Sequence, residues 1–437
     1  MSVKLGIVSL GCDKNRVDTE KLLAYAGDAG FEVTANEDEA DVVIINTCAF
    51  IESSKKEAID TIFEFVAKKT ERDLKIIVTG CLPERYKQEI VDAIPEVDAF
   101  LGINEYSRIA DVIRSVREGK KVVDFNPCDL PSVRRVLTTP MHYAYLKIAE
   151  GCDNHCTYCA IPMIRGKYKS RTVESLYDEA KILVNDYGVK ELDIVAQDVT
   201  RYGIDLYGEY SLMKLLDRLS SLDVEWIRLL YCYPELMSDD LINYIAKNDK
   251  ICKYVDIPLQ HIDDRILKTM GRRTSENEIK RLIDKIRNAG DIAIRSTFIV
   301  GFPGETDEEY KKLYDFIGEY KFDYAGFFAY SKEEGTAAAK LKGQISKTVK
   351  KRRLDEITAL QSRIIFENNE KYVGRTLKVL YEGIDYDREM FFGRPSFCAP
   401  DVDAKVFFAS DTLVDVGNFY NIKISGSDGY DLIGDRI

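Results

Sequence analysis

Six of the ten cysteines in this 437-residue chain stand where thiolates could act together. Cys152, Cys156 and Cys159 form a C-x3-C-x2-C run inside EGCDNHCTYC. That is a compact donor set one ligand short of the four that zinc or a cluster's cysteine shell usually takes. Zinc sites commonly show two Cys or Cys/His pairs, and no second pair lies close in sequence here. His155, adjacent to Cys156, would need an awkward local geometry to join the same ion. An iron–sulfur cluster accepts such spacing and, held by three thiolates, leaves one iron open to a non-protein ligand. Cluster, zinc and plain burial all stay open at this stage, with the spacing favouring the cluster.

A second set is spread over the first eighty residues. Cys12 follows the apolar run ending VSL, Cys48 the run ending IIN, and Cys81 the run ending VTG. If those runs are neighbouring parallel strands, they deliver three thiols to one edge of one sheet, where ligand crevices form in open α/β folds. One cysteine at a strand end is usually packing; three equivalent placements point to a second cluster with an open iron. Cys232 and Cys252 read as core, while Cys128, in a linker, and Cys398, in the last domain, are unassigned.

The elements that must position these residues follow from periodicity. Residues 1–118 alternate strands (3–10, 41–46, 75–80) with helices (17–30, 53–69, 84–94, 106–117), the pattern of a parallel sheet covered by helices. Residues 119–142 hold three prolines and no sustained period, and read as a linker. Residues 143–370 repeat the alternation, with strands at 143–148, 191–196, 226–231, 254–258, 293–300 and 324–330. Helices are expected at 175–187, 212–219, 276–289 and 307–320, giving an incomplete (β/α)6 barrel closed by a connecting helix over 347–370. Residues 371–437 alternate at period two and predict a small antiparallel β-barrel. The fold class is therefore α/β with a β-barrel appended.

Composition bounds the rest. An apolar fraction of 45% with 31% charged residues describes a globular protein. No apolar run is long enough for a membrane span, and the start lacks a signal-peptide pattern, so a cytoplasmic location is expected. The net charge of −12 argues against a large nucleic-acid surface.

The 152–159 run, with Tyr158 before its last cysteine, resembles the radical S-adenosylmethionine (SAM) superfamily. There the open iron of a [4Fe-4S] cluster is chelated by SAM, which supplies the missing ligand. Gln197–Asp198, Gln260–His261, Arg295 and the GFPGE turn with Gly301 and Gly304 stand where a SAM site is expected. Glycines allow close backbone approach and Arg295 could meet a carboxylate; an ordinary strand-to-helix turn would look the same. Taken whole, SLGCDKNRVDTE, INTCAF, VTGC, GCDNHCTYCAIPMIRG, VGFPGET and the terminal TRAM-type barrel resemble the radical-SAM methylthiotransferase family. The resemblance implies two [4Fe-4S] clusters, the radical one on Cys152, Cys156 and Cys159 and an auxiliary one on Cys12, Cys48 and Cys81. It also implies a reductant such as flavodoxin or ferredoxin and a sulfur source.

Family members modify either a transfer-RNA adenosine or an aspartate of the twelfth small-subunit ribosomal protein. SLGCDKNRVDTE and GRPSFCAPDVDA resemble the branch acting on the ribosomal protein. Charge agrees: residues 371–437 carry eight Lys and Arg against eleven Asp and Glu, which suits a basic protein partner better than tRNA. Asp401 and Asp403 are the expected contributors to that surface. Asp13, where the family usually has proline, and Cys398, where an acid is usual, depart from the pattern without removing a ligand. A transfer-RNA enzyme and a zinc-stabilised binding module are the alternatives.

Overall fold

The computed structural model describes residues 3–103, 106–126 and 134–437. Cys128 lies outside the described residues. The first sheet contains β1 (Lys4–Ser9), β2 (Glu32–Val33), β3 (Val42–Thr47), β4 (Lys75–Gly80), β5 (Ala99–Leu101) and β6 (Val122–Asp124). All its pairings are parallel, in the order β2-β1-β3-β4-β5-β6. Helices α1 (Asp13–Asp28), α2 (Glu52–Lys69), α3 (Cys81–Tyr86), α4 (Gln88–Ala93) and α5 (Ile109–Arg117) cover it.

Strand β3 is apolar without alternation because both its faces are covered. Val43 and Ile45 pack with Ile62 and Phe65 of α2, whereas Val42 and Ile44 pack with Leu22 of α1 and Ile113 of α5. The chain therefore leaves β1 toward one face and β3 toward the other, which makes the β1/β3 boundary the sheet's switch point. Strand β6 falls in residues expected to be linker; its Val-Val-Asp is too short to show a period. The helix expected over 84–94 is divided at Lys87, whose φ is 47°. Helix α1 starts four residues earlier than its apolar pattern, since its first turn is polar yet buries Lys14 and Asn15.

The second domain has β7 (Tyr143–Lys147), a small β8–β9 pair (Ala149–Glu150 with Lys169–Ser170), β10 (Glu191–Val195), β11 (Trp226–Leu229), β12 (Tyr254–Asp256), β13 (Ala293–Val300) and β14 (Tyr324–Ala329). Its helices are α6 (Ile161–Arg165), α7 (Val173–Asn185), α8 (Ile204–Tyr207), α9 (Leu212–Ser220), α10 (Asp239–Lys247), α11 (Asp264–Thr269), α12 (Glu276–Ala289), α13 (Asp307–Tyr320) and α14 (Lys347–Asn369). The six long strands run parallel in sequence order as β7, β10, β11 and then β12, β13, β14. The two halves are joined by the Ile227–Ile251 bridge. Outward residues such as Leu146, Ile194, Ile227 and Ile294 meet the helices in the largest core.

Inward residues are different in kind. Tyr143, Tyr145, Trp226 and Tyr254 line the lumen, with the buried titratable side chains Glu191, Asp193 and Arg228 among them. β14 does not pair with β7, so the barrel is an open arc. Phe328 of β14 is on the strand face opposite Phe327, which packs on the outer core, and is 53% exposed.

The C-terminal domain is a closed barrel of β15 (Thr376–Asp385), β16 (Met390–Pro395), β17 (Val406–Ala409), β19 (Asp431–Arg436) and β18 (Phe419–Asp428). It does not hang free. Residues 394–403 insert against the arc's interior: Arg394 Nη2 reaches Glu191 at 2.8 Å, Arg228 Nη1 donates to Ser396 O at 2.8 Å, and Tyr324 OH meets Cys398 Sγ at 3.0 Å. Trp226 sits edge-on to Phe419, with ring centroids 4.7 Å apart.

Candidate active site

The register of the first sheet brings the scattered cysteines together. Ser9 pairs with Asn46, Asn46 with Thr79 and Thr47 with Gly80, so β1, β3 and β4 end level. Cys12 caps the start of α1, Cys48 follows β3 directly, and Cys81 opens α3. Gly80 makes the last placement possible. Its φ is 96°, and a Cβ there would overlap Asn46 Oδ1 and the Thr47 backbone. Asn15 ties the edge together, donating from Nδ2 to Leu10 O and Thr47 O at 3.0 Å each. Cys12 is exposed, whereas Cys48 and Cys81 are buried.

The second set is held as tightly. The β8–β9 pair clasps the loop's base, and Cys152 N donates to Gly166 O at 3.1 Å. Thr157 N donates to Met270 O at 2.9 Å, anchoring the loop to the end of α11. Tyr158 packs on the cluster of Ile266, Met270, Phe302, Tyr330 and Ala338, which fixes the loop against the GFPGE turn. Asn154 donates to the fully buried Asp198 at 2.8 Å.

Burial pushes the Cys81 and Cys159 thiols up to about 12 and the Cys152 thiol up to about 11. Cys48 is raised for the same reason. Burial raises Cys232, Cys252 and Cys398 as well, so the shift marks a desolvated thiol and the placement of the two sets is what distinguishes them. Among the described residues no three His, Cys, Asp or Glu side chains close on a point suited to a single ion. Thiolates of a four-iron cluster sit on separate irons and need no such convergence. An orphaned acceptor adds to the fit: Gln197 Oε1 is buried without a hydrogen-bond partner, while its Nε2 donates to Glu150 at 3.1 Å.

Each set has one buried arginine that the sequence reading passed over. Arg165 Nη2 lies 3.5 Å from Cys81 Sγ and donates to Asn15 Oδ1, while Nη1 meets Glu150 at 2.8 Å and Asp18 at 3.1 Å. Arg272 Nη1 lies 3.9 Å from Cys156 Sγ, and its guanidinium stacks 4.0 Å above Tyr233, whose OH is 3.5 Å from the same sulfur. Burial opposes the charge on Glu150, yet Arg165 and Lys147 hold its carboxyl well below the usual range. The signal for Arg165 was an arginine closing the otherwise apolar AIPMI stretch beside the motif.

Other expected residues divide. Gln260 adopts φ 73° and bonds through its backbone to Thr297 and Ile299 beside β13. His261 Nδ1 accepts from Asp263 N at 3.0 Å, which leaves Nε2 facing Glu305 at 3.4 Å and makes it a structural histidine. Gly301 and Gly304 take φ values of 69° and 81°; Gly301 N donates to Glu305, and Gly304 N to Gly343 O at 2.8 Å.

Arg295 is not free to receive a carboxylate. It is the third residue of β13, pairs with Asp403 and lies 3.9 Å from Asp256. Asp403 correspondingly does not stand on a surface, because it is buried between Arg295, Tyr254 OH at 2.8 Å and Ala399 N at 2.9 Å. Asp401 is exposed and accepts from Tyr143 OH at 3.2 Å. Asp13, the departure from the usual proline, accepts from Lys14 at 3.0 Å and Tyr231 OH at 3.3 Å, joining α1 to the barrel.

Comparison with known proteins gives three domain matches: Uncharacterized protein family UPF0004 at residues 4–102, the Radical SAM superfamily at 146–317 and the TRAM domain at 373–437. The chain is 46% identical over 437 residues to the ribosomal protein uS12 methylthiotransferase RimO of Clostridium tetani, covering 99% of this chain and 98% of the relative. It is 48% identical over 444 residues to that of Pelotomaculum thermopropionicum, covering all of both. The chain belongs to the ribosomal protein uS12 methylthiotransferase family. It is thus a radical-SAM methylthiotransferase, and its central domain brings SAM and a [4Fe-4S] cluster with it. The fold of this family member is also seen in the radical SAM methyltransferase TsrM of Kitasatospora setae (TM-score 0.56, 16% identity, 75% of this chain and 73% of that one). OxsB, a cobalamin-dependent radical enzyme, shares it at TM-score 0.50 and 12% identity, over 82% of this chain and 56% of that one. No helix among the described residues is long and apolar enough to cross a membrane.

Proposed function

We propose that this chain adds a methylthio group to the β-carbon of an aspartate in ribosomal protein uS12, using two [4Fe-4S] clusters, in the cytoplasm where ribosomes assemble. Cys152, Cys156 and Cys159 would hold the radical cluster, and Cys12, Cys48 and Cys81 the auxiliary one. The observation that carries the reading is a set of three thiols brought to one sheet edge and a second set in one loop, with Arg165 bonded both to Cys81 and to Glu150 at the base of that loop, in a chain matching uS12 methylthiotransferases end to end. When bound, the clusters and SAM supply electron transfer, a carbon radical on the acceptor and the sulfur to be transferred.

The protein's own part is positioning. The β8–β9 clasp and the Thr157–Met270 bond orient the loop thiols, and Gln197 presents its unpartnered Oε1 beside Glu150 as a cofactor-facing acceptor. Flavodoxin or ferredoxin would supply electrons, and sulfide or a persulfide donor the sulfur. The acidic C-terminal barrel, with Asp401 exposed, suits a basic protein more than tRNA.

The test is anaerobic reconstitution followed by incubation with uS12, SAM, sulfide and reductant, read by mass spectrometry. A methylthio group on a uS12 aspartate is expected; the same group on tRNA adenosine, with uS12 unmodified, would overturn the choice of acceptor. Substituting Ala for Cys12, Cys48 or Cys81 should halve the iron content and abolish sulfur transfer while reductive SAM cleavage stays detectable. A colourless protein holding zinc and no iron would sink the two-cluster assignment.

A further inference from the structure

We propose that Arg165 is the residue that sets the reduction potential of the auxiliary cluster and fixes it relative to the radical-SAM loop. The inference rests on the two-cluster reading above. Arg165 ends α6, immediately before Gly166, whose carbonyl closes the cysteine loop on Cys152 N. Its guanidinium is buried and divided between two tasks. The Nη1 edge is fixed by Glu150 at 2.8 Å and Asp18 at 3.1 Å, one acid from each domain. The Nη2 edge is thereby aimed at Asn15 Oδ1 and, at 3.5 Å, at Cys81 Sγ in the first domain.

A planar fork held at one edge can present its other edge only in one direction, which a flexible ammonium could not do. A donor and a fixed positive charge beside a cluster thiolate stabilise the more negative, reduced cluster and so raise its potential. The surrounding charges sharpen the argument. Arg165 and Lys147 balance Asp18 and Glu150. Removing the guanidinium therefore deletes a donor and leaves a net negative charge next to Cys81. Arg272 stands in the matching position at Cys156 of the other set, so the molecule supplies its own control.

The experiment is redox-poised EPR on reconstituted wild type, Arg165→Met, Arg165→Lys and Arg272→Met, with iron counted in each sample. In Arg165→Met the auxiliary couple should move to more negative potential while the radical-SAM couple stays in place. Arg165→Lys, which keeps the charge and loses the fork, should shift the same couple in the same direction by less, and decides the matter if the Met variant does not fold. Arg272→Met should move only the radical-SAM couple. Eight irons with an unmoved auxiliary couple in the Arg165 variants would overturn the inference. Only four irons in the wild type would instead overturn the two-cluster reading.

Discussion

The docking of the C-terminal barrel can be weighed at one carboxylate. Glu191, on the lumen side of β10, accepts from Arg228 Nε at 2.8 Å and from Arg394 at 2.8 and 3.3 Å. Burial alone would lift its pKa; the two guanidiniums instead hold it at about 2, against an ordinary 4.5. That difference corresponds to about 3 kcal/mol in favour of the ionised form. Breaking a buried pair typically costs ~3–5 kcal/mol, and since Arg228 remains, Arg394→Met should sit near the lower figure, about 3 kcal/mol at neutral pH. The single tryptophan makes this measurable, because Trp226 lies against Phe419 of the docked barrel. Urea titration followed by its fluorescence should show an earlier transition in Arg394→Met. A cycle with Glu191→Gln should show coupling, with the double variant losing less than the two single losses combined. The pH dependence has a definite sign. Because the carboxyl is depressed in the folded state, its contribution is present above 4.5 and disappears as pH falls toward 2. Arg394→Met should flatten that acid limb. A loss under ~1 kcal/mol, no more than an exposed ion pair contributes, or strict additivity in the cycle, would refute the reasoning.

Three further outcomes are expected. Gly80→Ala forces a side chain into a left-handed backbone position against Asn46 and Thr47, and should cost at least ~1–3 kcal/mol, read as a lowered melting temperature and, on the two-cluster proposal, a lower iron content. Asn15→Ala strands the buried Thr47 carbonyl and the half-buried Leu10 carbonyl, costing ~1–3 kcal/mol for the buried one; on the two-cluster proposal, a chelator time course should show about half of the iron leaving faster while the rest persists. Glu179 is fully buried and held at about 2, where Arg171, Lys21 and Arg135 outweigh the cost of burial. Its contribution is complete above 4.5 and lost as pH falls toward 2, so an acid titration of Glu179→Gln should show a shallower fall than wild type.

What the sequence made legible was whatever rests on local pattern. Helices α12 and α13 begin where expected because Ser275–Glu278 and Thr306–Glu309 are capping boxes that announce a start. The strand-end cysteines could be placed because each ends an apolar run, and parallel strands bring such ends level. The rest depends on partners distant in sequence. Asp403 reads as a solvated acid in a polar turn until Arg295, 108 positions away, is seen to neutralise it. Arg165 reads as a helix-end cation until Asp18 and Cys81 arrive from another domain. Strand β6 is set by tertiary pairing with β5 that overrides weak local preference, and the break at Lys87 is a left-handed residue that no local signal announces.

The unjoined arc between β7 and β14 leaves one wall of the lumen, at Phe328, facing solvent. A closed eight-stranded barrel reaches its reagents through loops at one rim and can be shut by a mobile flap. An arc is open along its side as well, between β7 and β14, where Phe328 holds an apolar side chain against water. Access to the lumen is therefore lateral as well as through the rim, and the first surface met on the lateral route is an apolar one.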